Sequence, residues 1–164
     1  MIGLISDTHD NLPLIDKAVK RLNEENVNFV LHAGDYIAPF VIPKFKILKA
    51  KLIGVFGNND GDHELLKKKF NDYSNLEIHG YFAMLNVEGL RIALLHGHDT
   101  ELLKALISSQ GFDVVVYGHT HKAEVRKEGK TLIVNPGEAC GYLTGKSTIG
   151  LLDTDKREAK IIEL

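Results

Sequence analysis

Histidines separated by one residue are the most informative feature of the sequence. The segments His96–His98 and His119–His121 each carry such a pair, and each follows an apolar run. With eight histidines among 164 residues, chance predicts about 0.4 such pairs, whereas the chain has two. A single buried histidine is more often a hydrogen-bonded core residue than a ligand. Four histidines at two strand ends indicate a role beyond packing.

Carboxylate and amide side chains follow three further apolar runs. Asp7 and His9 come after the first run, Asp35 after the second and Asn58 after the third. Each segment alone also fits a structural role, such as a helix-capping or tight turn. In α/β sheets, however, the loops at the carboxyl ends of the strands converge over one crevice. We therefore predict that five strands deliver these polar side chains to one edge.

A metal centre is the chemistry that these residue types favour. Carboxylates and neutral imidazoles crowded at one edge would repel or stay unsatisfied unless a cation gathered them. Seven ligands without a thiolate are too many for one tetrahedral zinc ion, but suit two divalent ions about 3.5–4 Å apart. The borderline ions Mn²⁺, Fe²⁺, Co²⁺, Ni²⁺ and Zn²⁺ all suit such ligands, and Mn²⁺ and Ni²⁺ are the two we would supply first. The predicted ligands are Asp7, His9, Asp35, Asn58, His96, His119 and His121.

Strands and helices alternate in the first part of the sequence, and hairpins follow later. Asn11, Asp62 and Thr100 are predicted helix caps. Alternation followed by hairpins predicts two stacked, mixed sheets with helices outside, in one domain spanning residues 1–164. The predicted strands of the alternating part are Ile2–Ile5, Phe29–Leu31, Leu52–Phe56 and Val114–Val116. The predicted hairpins pair Phe82–Val87 with Leu90–Leu95, Val125–Lys127 with Thr131–Val134, and Thr148–Leu152 with Ala159–Ile162.

The composition argues against several classes of partner. Twenty basic and 22 acidic side chains give a net charge of −2, so no charge-driven binding to long nucleic acids or membranes is expected. No apolar run is long enough to span a bilayer. Cys140 is the single cysteine, which fits a reducing compartment, and we predict the cytoplasm.

These motifs, taken in order, resemble those of the calcineurin-like metallophosphoesterases over nearly the whole chain. The Asp-x-His, Gly-Asp, Gly-Asn, His and Gly-His-x-His blocks of that family match the segments that contain the seven predicted ligands. The compact length and Asn135-Pro136-Gly137 resemble the small, single-domain prokaryotic phosphodiesterases of the family. The resemblance implies an α/β (α+β) fold in the form of a four-layer αββα sandwich.

The resemblance also implies roles for the ligands and a reaction. One ion would be held by Asp7, His9 and His121, the other by Asn58, His96 and His119, and Asp35 would bridge them. The implied reaction is hydrolysis of a small phosphodiester by in-line attack of a metal-bridging hydroxide, without a covalent enzyme intermediate.

One position departs from the family pattern. Asn59 stands where the family usually has the histidine that protonates the leaving oxygen, and an amide cannot donate a proton at neutral pH. We expect slow turnover of poorly activated substrates. His98 is the predicted substitute acid, with a supporting role beside His96 as the alternative. Asp60, the acidic residue of the same block, completes the predicted catalytic set with Asn59 and His98.

Two other functions remain open at this stage. A retromer subunit of the same fold acts mainly as a binding platform, so an interaction scaffold with weak or no catalysis is the main alternative. A nucleotide-binding domain is disfavoured because no glycine-rich phosphate-binding motif follows the first strand. The sequence leaves open the substrate, the native metal and the oligomeric state, for which a homodimer is one option.

Overall fold

Two β-sheets lie face to face in the computed structural model, which describes residues 1–164. Eleven strands alternate with three α-helices and one long 3₁₀ segment, Pro39–Ile47. The α-helices are α1 (Leu12–Glu24), α2 (His63–Asn71) and α3 (Thr100–Ser108). The strands are β1 (Ile2–Ile5), β2 (Phe29–His32), β3 (Lys51–Gly54), β4 (Leu76–Ile78), β5 (Phe82–Val87), β6 (Leu90–Leu95), β7 (Val114–Val116), β8 (Glu124–Glu128), β9 (Thr131–Asn135), β10 (Thr148–Asp153) and β11 (Glu158–Glu163).

The first sheet has six strands in the order β11-β10-β1-β2-β3-β4. Strands β1 to β4 run parallel, with Gly3 opposite Val30 and Val30 opposite Leu52. Strand β10 runs antiparallel to β1, and the hairpin partner β11 forms the edge. The carboxyl ends of β1, β2 and β3 therefore lie side by side at one edge of this sheet.

The second sheet has five strands in the order β5-β6-β7-β9-β8. Its three central strands are parallel, with Val114 of β7 opposite Ile92 on one side and Leu132 on the other. The outer strands β5 and β8 join antiparallel through the two predicted hairpins. In the first hairpin Glu88 and Gly89 both have positive φ, as a two-residue turn of this type requires. The carboxyl ends of β6, β7 and β9 again meet at one edge.

Three apolar cores separate four layers. Leu4 and Leu31 of the first sheet pack with Ile92 and Val116 of the second in the central core. A second core lies between the first sheet and the helical layer formed by α1, α2 and the 3₁₀ segment. A third core, which includes Ile107 of α3, covers the outer face of the second sheet. These layers form the αββα sandwich that the resemblance implies.

None of the helices has the length and apolar character that a membrane span requires.

Local predictions were correct at most caps and wrong in two places. The side chains of Asn11 and Asp62 accept hydrogen bonds from the first turns of α1 and α2, as expected. Asp99, not Thr100, caps α3, because its carboxylate accepts from the Leu102 amide. Strand β3 ends at Gly54 rather than at Phe56, because beyond it the chain turns into the loop that carries Asn58.

Candidate metal centre

The loops that follow β1, β2, β6 and β7 are joined by backbone hydrogen bonds. The Asp7 amide donates to the Gly34 carbonyl at 3.0 Å, and the Gly118 amide donates to the His96 carbonyl at 2.9 Å. The Asp7 carboxylate then accepts from the His119 amide at 3.1 Å, which links the two sheets. The carboxyl edges of both sheets thus form one continuous site.

Five of the seven predicted ligands adopt backbone conformations that non-glycine residues rarely adopt. Each left-handed residue costs roughly 1–3 kcal/mol and persists only where its surroundings fix it. Such strain is concentrated here, at the ends of the strands that form the site. The φ angles are 52° for Asp7, 40° for His9, 60° for Asp35, 65° for His119 and 61° for His121.

Asp35 occupies the middle of the cluster. Its Oδ2 atom lies 3.3 Å from Nε2 of His9 and 3.3 Å from Nε2 of His96. Asn59 holds the same carboxylate through its backbone amide at 2.9 Å and its side-chain Nδ2 at 2.7 Å. A single buried carboxylate therefore contacts histidines from both sheets.

The remaining predicted ligands lie on either side of Asp35. Oδ1 of Asp7 is 3.5 Å from Nε2 of His121 and 3.8 Å from Nε2 of His9. On the other side the rings of His96 and His119 are 5.1 Å apart, and Asn58 lines the same cavity as His96. The structure brings six of the predicted side chains into one cluster and places the exposed Asn58 at the adjoining cavity. The six are Asp7, His9, Asp35, His96, His119 and His121.

The charges in the cluster are strongly coupled. Burial alone would raise the pKa of Asp35, but His9, His96 and Asn59 hold it well below its usual range. Burial opposes protonation of His9, yet Asp35 and Asp7 raise its pKa to about 9. The same balance raises the pKa of His96, whereas burial and the nearby His96 lower that of His119. Without a cation, protons on the histidines would offset the buried carboxylates.

The donor set fits divalent cations. Oδ1 of Asp7, Nε2 of His9 and Nε2 of His96 are buried and make no aligned hydrogen bond. Leaving such an atom unpaired costs about 1–3 kcal/mol, so native proteins normally satisfy it. Two overlapping groups have donor atoms within 4.8 Å of one another: Asp7, His9 and His121, and Asp7, Asp35 and His96. Mixed carboxylate and imidazole donors suit borderline first-row ions.

Glu138 is a functional residue that the sequence reasoning missed. It is fully buried, and its Oε2 atom accepts from Nδ1 of His121 at 2.8 Å. It also accepts from the Leu143 amide at 3.0 Å, the Thr144 hydroxyl at 2.7 Å and the Cys140 thiol at 3.1 Å. Although burial opposes ionisation, these donors lower the pKa of Glu138 to about 2. The one sequence signal was a carboxylate directly after the Asn135-Pro136-Gly137 turn.

The predicted catalytic residues have different surroundings. The Asp60 carboxylate accepts from the backbone amides of Asp35 at 3.1 Å, Ile37 at 2.8 Å and Gly57 at 2.7 Å. Backbone amides therefore donate to both oxygens of Asp60, which favours a role in positioning these loops over the catalytic role expected from the sequence. His98 is exposed, with its ring 5.7 Å from that of His96.

The alternative role for His98 was to orient the ring of His96, and the structure shows another group in that position. Nδ1 of His96 is hydrogen-bonded at 2.8 Å to the Ala33 carbonyl, which fixes the orientation of the ring. Asn59 is exposed, and its side-chain Nδ2 donates to the Asp35 carboxylate. Of Asn59 and His98, only His98 lines the cavity beside the predicted metal ligands, where its ring is accessible.

The fold and the site together define a phosphoesterase architecture, and comparison with known proteins agrees. The model of the calcineurin-like phosphoesterase superfamily domain matches residues 1–157, and the chain belongs to that superfamily. It is 45% identical over 163 residues to phosphodiesterase MJ0936 of Methanocaldococcus jannaschii. The matched region covers 99% of this chain and 98% of that protein. It is 26% identical to phosphodiesterase YfcE of Escherichia coli, over 92% of this chain and 85% of that protein.

Solved structures extend the comparison. An archaeal phosphodiesterase matches with a TM-score of 0.95 at 45% identity, covering 99% of both chains. Zinc-bound Vps29 from Entamoeba histolytica matches with a TM-score of 0.70 at 21% identity, over 99% of this chain and 97% of that one. The second likeness concerns the fold alone. The family resemblance predicted from the sequence is confirmed.

Proposed function

We propose that this protein is a phosphodiesterase that hydrolyses small phosphodiesters with the help of two divalent cations. The observation that carries the proposal is the convergence of the buried Asp7 and Asp35 carboxylates with Nε2 of His9 and of His96, at 3.3–3.8 Å. Oδ1 of Asp7 and both Nε2 atoms make no aligned hydrogen bond there. The phosphodiesterase names of its 45% and 26% identical relatives support the same reaction.

Seven side chains would hold the two ions. When bound, such ions lower the pKa of water and neutralise charge on the phosphoryl oxygens, with Mn²⁺ and Ni²⁺ ranked first. Asp35 would contribute to both ions, because it already contacts histidines on either side. The proposed ligands are Asp7, His9 and His121 for one ion, Asn58, His96 and His119 for the other, and Asp35 between them.

The surrounding residues prepare the ligands for this task. Glu138 and the Ala33 carbonyl each accept a hydrogen bond from Nδ1 of a histidine, His121 and His96 respectively. A proton fixed on Nδ1 leaves the lone pair on Nε2, which faces the centre of the cluster. Asn59 restrains the Asp35 carboxylate by donating its side-chain Nδ2 to the same Oδ2 atom that lies near His9 and His96.

Leaving-group protonation is the weak step of this site. The Asn59 side-chain amide donates to Asp35 and, being an amide, cannot supply a proton to the leaving group. We propose His98 as the acid, because its ring is exposed within 6.2 Å of His119 and lines the adjoining cavity. Its distance from the donors makes it less effective than an acid at position 59, so activated leaving groups are favoured.

Hydrolysis of bis(p-nitrophenyl) phosphate by metal-loaded protein tests the proposal. Activity is expected with Mn²⁺ or Ni²⁺, and Asp35→Ala should abolish it and lower the bound metal content. The control is Asp155→Ala, which removes an exposed carboxylate in the β10–β11 turn and should change neither quantity. Folded, metal-containing protein that cleaves no diester with any divalent ion would contradict the proposal.

The interaction scaffold is the alternative, and the likeness to Vps29 bears on the fold alone. An interaction scaffold has no chemical need for buried carboxylate and imidazole atoms that make no aligned hydrogen bond. The cluster therefore favours hydrolysis. The rest of the proposal follows the composition: one domain over residues 1–164, a cytoplasmic location and no long nucleic acid as substrate. Whether the chain forms a homodimer is a matter for measurement in solution.

A further inference from the structure

A cavity of about 450 Å³ opens beside one half of the metal centre. Asn58 and His96 line it on the side of the donors, and Tyr81, His98 and Leu102 line much of the remainder. The volume lies in the range of small-molecule sites, roughly 300–1,000 Å³. A phosphodiester whose phosphate is bound at the centre would extend one of its ester groups into this space.

Tyr81 gives the cavity an aromatic surface with a fixed orientation. The residue is 52% exposed, yet its ring packs at steep angles against Phe56 at 6.0 Å, His63 at 5.6 Å and His98 at 6.0 Å. His63 in turn stacks on Phe56 at 4.2 Å. Edge-to-face contacts of this kind hold a ring without covering its face. The exposed part of Tyr81 is therefore available to a flat ligand.

The charge of the cavity disfavours a second phosphate. No lysine or arginine lines it, and its one carboxylate belongs to Asp99, which accepts from the Leu102 amide at 2.9 Å. An additional phosphate beyond the metal centre would meet this negative charge, and His98, protonated as the proposed acid, would offset no more than the charge of Asp99 itself. Leu102 is 39% exposed and adds apolar surface instead. These walls suit a neutral, planar group.

We propose that the cavity binds a neutral aromatic ring attached to one ester oxygen of the substrate. The substrates are then aryl or nucleoside phosphodiesters rather than polyphosphates, an inference that rests on the proposed phosphodiesterase function. Stacking of a ring on an aromatic side chain strengthens binding by roughly 5- to 100-fold. Tyr81 is accordingly a specificity-determining residue of this reaction.

Inhibition by phosphate monoesters tests the proposal. These compounds resemble the products, and because each carries one ester group, the effect of that group on binding is measured separately. The inhibition constants are measured against hydrolysis of methyl p-nitrophenyl phosphate by the metal-loaded protein. Phenyl phosphate should inhibit about tenfold more strongly than methyl phosphate. Methyl diphosphate should inhibit no more strongly than methyl phosphate. The phenyl advantage should persist in Tyr81→Phe, disappear in Tyr81→Ala, and persist in Tyr142→Ala, which alters an exposed tyrosine outside the cavity.

One further comparison completes the experiment. The inhibition constants of uridine 5′-monophosphate and ribose 5-phosphate are compared. Stronger inhibition by uridine 5′-monophosphate indicates that the cavity binds the base of a nucleoside. If the two inhibit equally while phenyl phosphate still inhibits more strongly than methyl phosphate, the bound group is an aryl ester. Equal inhibition by methyl and phenyl phosphate, or a phenyl advantage that survives Tyr81→Ala, overturns the proposal. If no diester is hydrolysed, the proposed function fails, and calorimetric binding of phenyl and methyl phosphate to metal-loaded protein still decides what the cavity binds.

Discussion

Nδ1 of His121 lies 2.8 Å from Oε2 of the buried Glu138. The two residues come from different loops, and the hydrogen bond sets which ring nitrogen of His121 faces Asp7. Glu138 accepts from five donors in all and donates to none, so it must be ionised to satisfy them. The contact couples a predicted metal ligand to the loop that contains Leu143 and Thr144.

Glu138→Gln is expected to weaken metal binding at the His121 side by about 10- to 100-fold, because an amide can accept on one side only. Calorimetric titration with Mn²⁺ measures the affinity, and ¹⁵N NMR of the imidazoles reports the tautomer of His121, which should become mixed. Glu101→Gln, an exposed change on α3, is the matched control. An unchanged His121 tautomer in Glu138→Gln would refute the positioning role.

Metal binding is expected to release protons and to strengthen as the pH rises toward about 9. Metal-free His9 has a pKa raised to about 9 by Asp35 and Asp7, so it is protonated at pH 7.5 and must lose that proton to bind a cation. Calorimetry with Mn²⁺ at pH 7.5 in buffers of different ionisation enthalpy measures the release. His9→Ala should reduce it and His79→Ala should not; equal release from both variants would contradict the assignment.

The same pKa shift affects the stability of the metal-free protein. A pKa of His9 raised above the ordinary 6.5 stabilises the folded state fully below pH 6.5, and the contribution is lost as the pH rises through about 9. Urea unfolding of metal-free protein should therefore show a decline over this interval. His9→Ala should show a smaller decline, and identical pH profiles for the two proteins would argue against this pairing.

Asn59→His is expected to accelerate poorly activated diesters more than activated ones, by up to roughly 100-fold, if proton donation is what the site lacks. Rates for a series of aryl methyl phosphates with leaving groups of rising pKa measure the effect. Asn59→Ala is the control, because it also loses the bond to Asp35 but adds no imidazole. Equal acceleration of all leaving groups would exclude general acid catalysis as the cause.

Gly57→Ala is expected to destabilise the protein by about 1–3 kcal/mol, because the added Cβ would lie 2.6 Å from the backbone nitrogen of Asp35. It should also lower metal content by displacing the Asp35 carboxylate. Gly80→Ala is the control, since its Cβ would meet nothing within 4 Å and should cost less than about 0.5 kcal/mol. Urea unfolding and elemental analysis measure the two effects.

Ten of the eleven strands were predictable from local sequence, whereas the three-residue strand β4 (Leu76–Ile78) was not predicted. The candidate ligands were also identified from local sequence, and their role as ligands stays a prediction. The apolar run Ile2–Ile5 is bounded by polar residues and forms β1 over the same residues. The histidine pairs signalled a site by their spacing alone. The 3₁₀ segment Pro39–Ile47 was missed, since its prolines and aromatic residues show no helical period and it is held by packing against α1 and α2.

Residues that act through other residues were not predictable. Glu138 and Asp60 differ little from other acidic residues in the sequence, and their roles arise from backbone amides and side chains brought to them by distant loops. Asp60 illustrates this: its proximity in sequence to Asn58 does not say which way the carboxylate faces, and in the fold it accepts from the amides of Asp35, Ile37 and Gly57.

The predicted ligands are divided between the two sheets, and the central core of Leu4, Leu31, Ile92 and Val116 sets the spacing of those sheets. If two cations bind as proposed, the distance between them would depend on how these apolar side chains pack beneath the site. Truncating those side chains is then expected to shift the ligands of one sheet relative to those of the other, even with every proposed ligand unchanged.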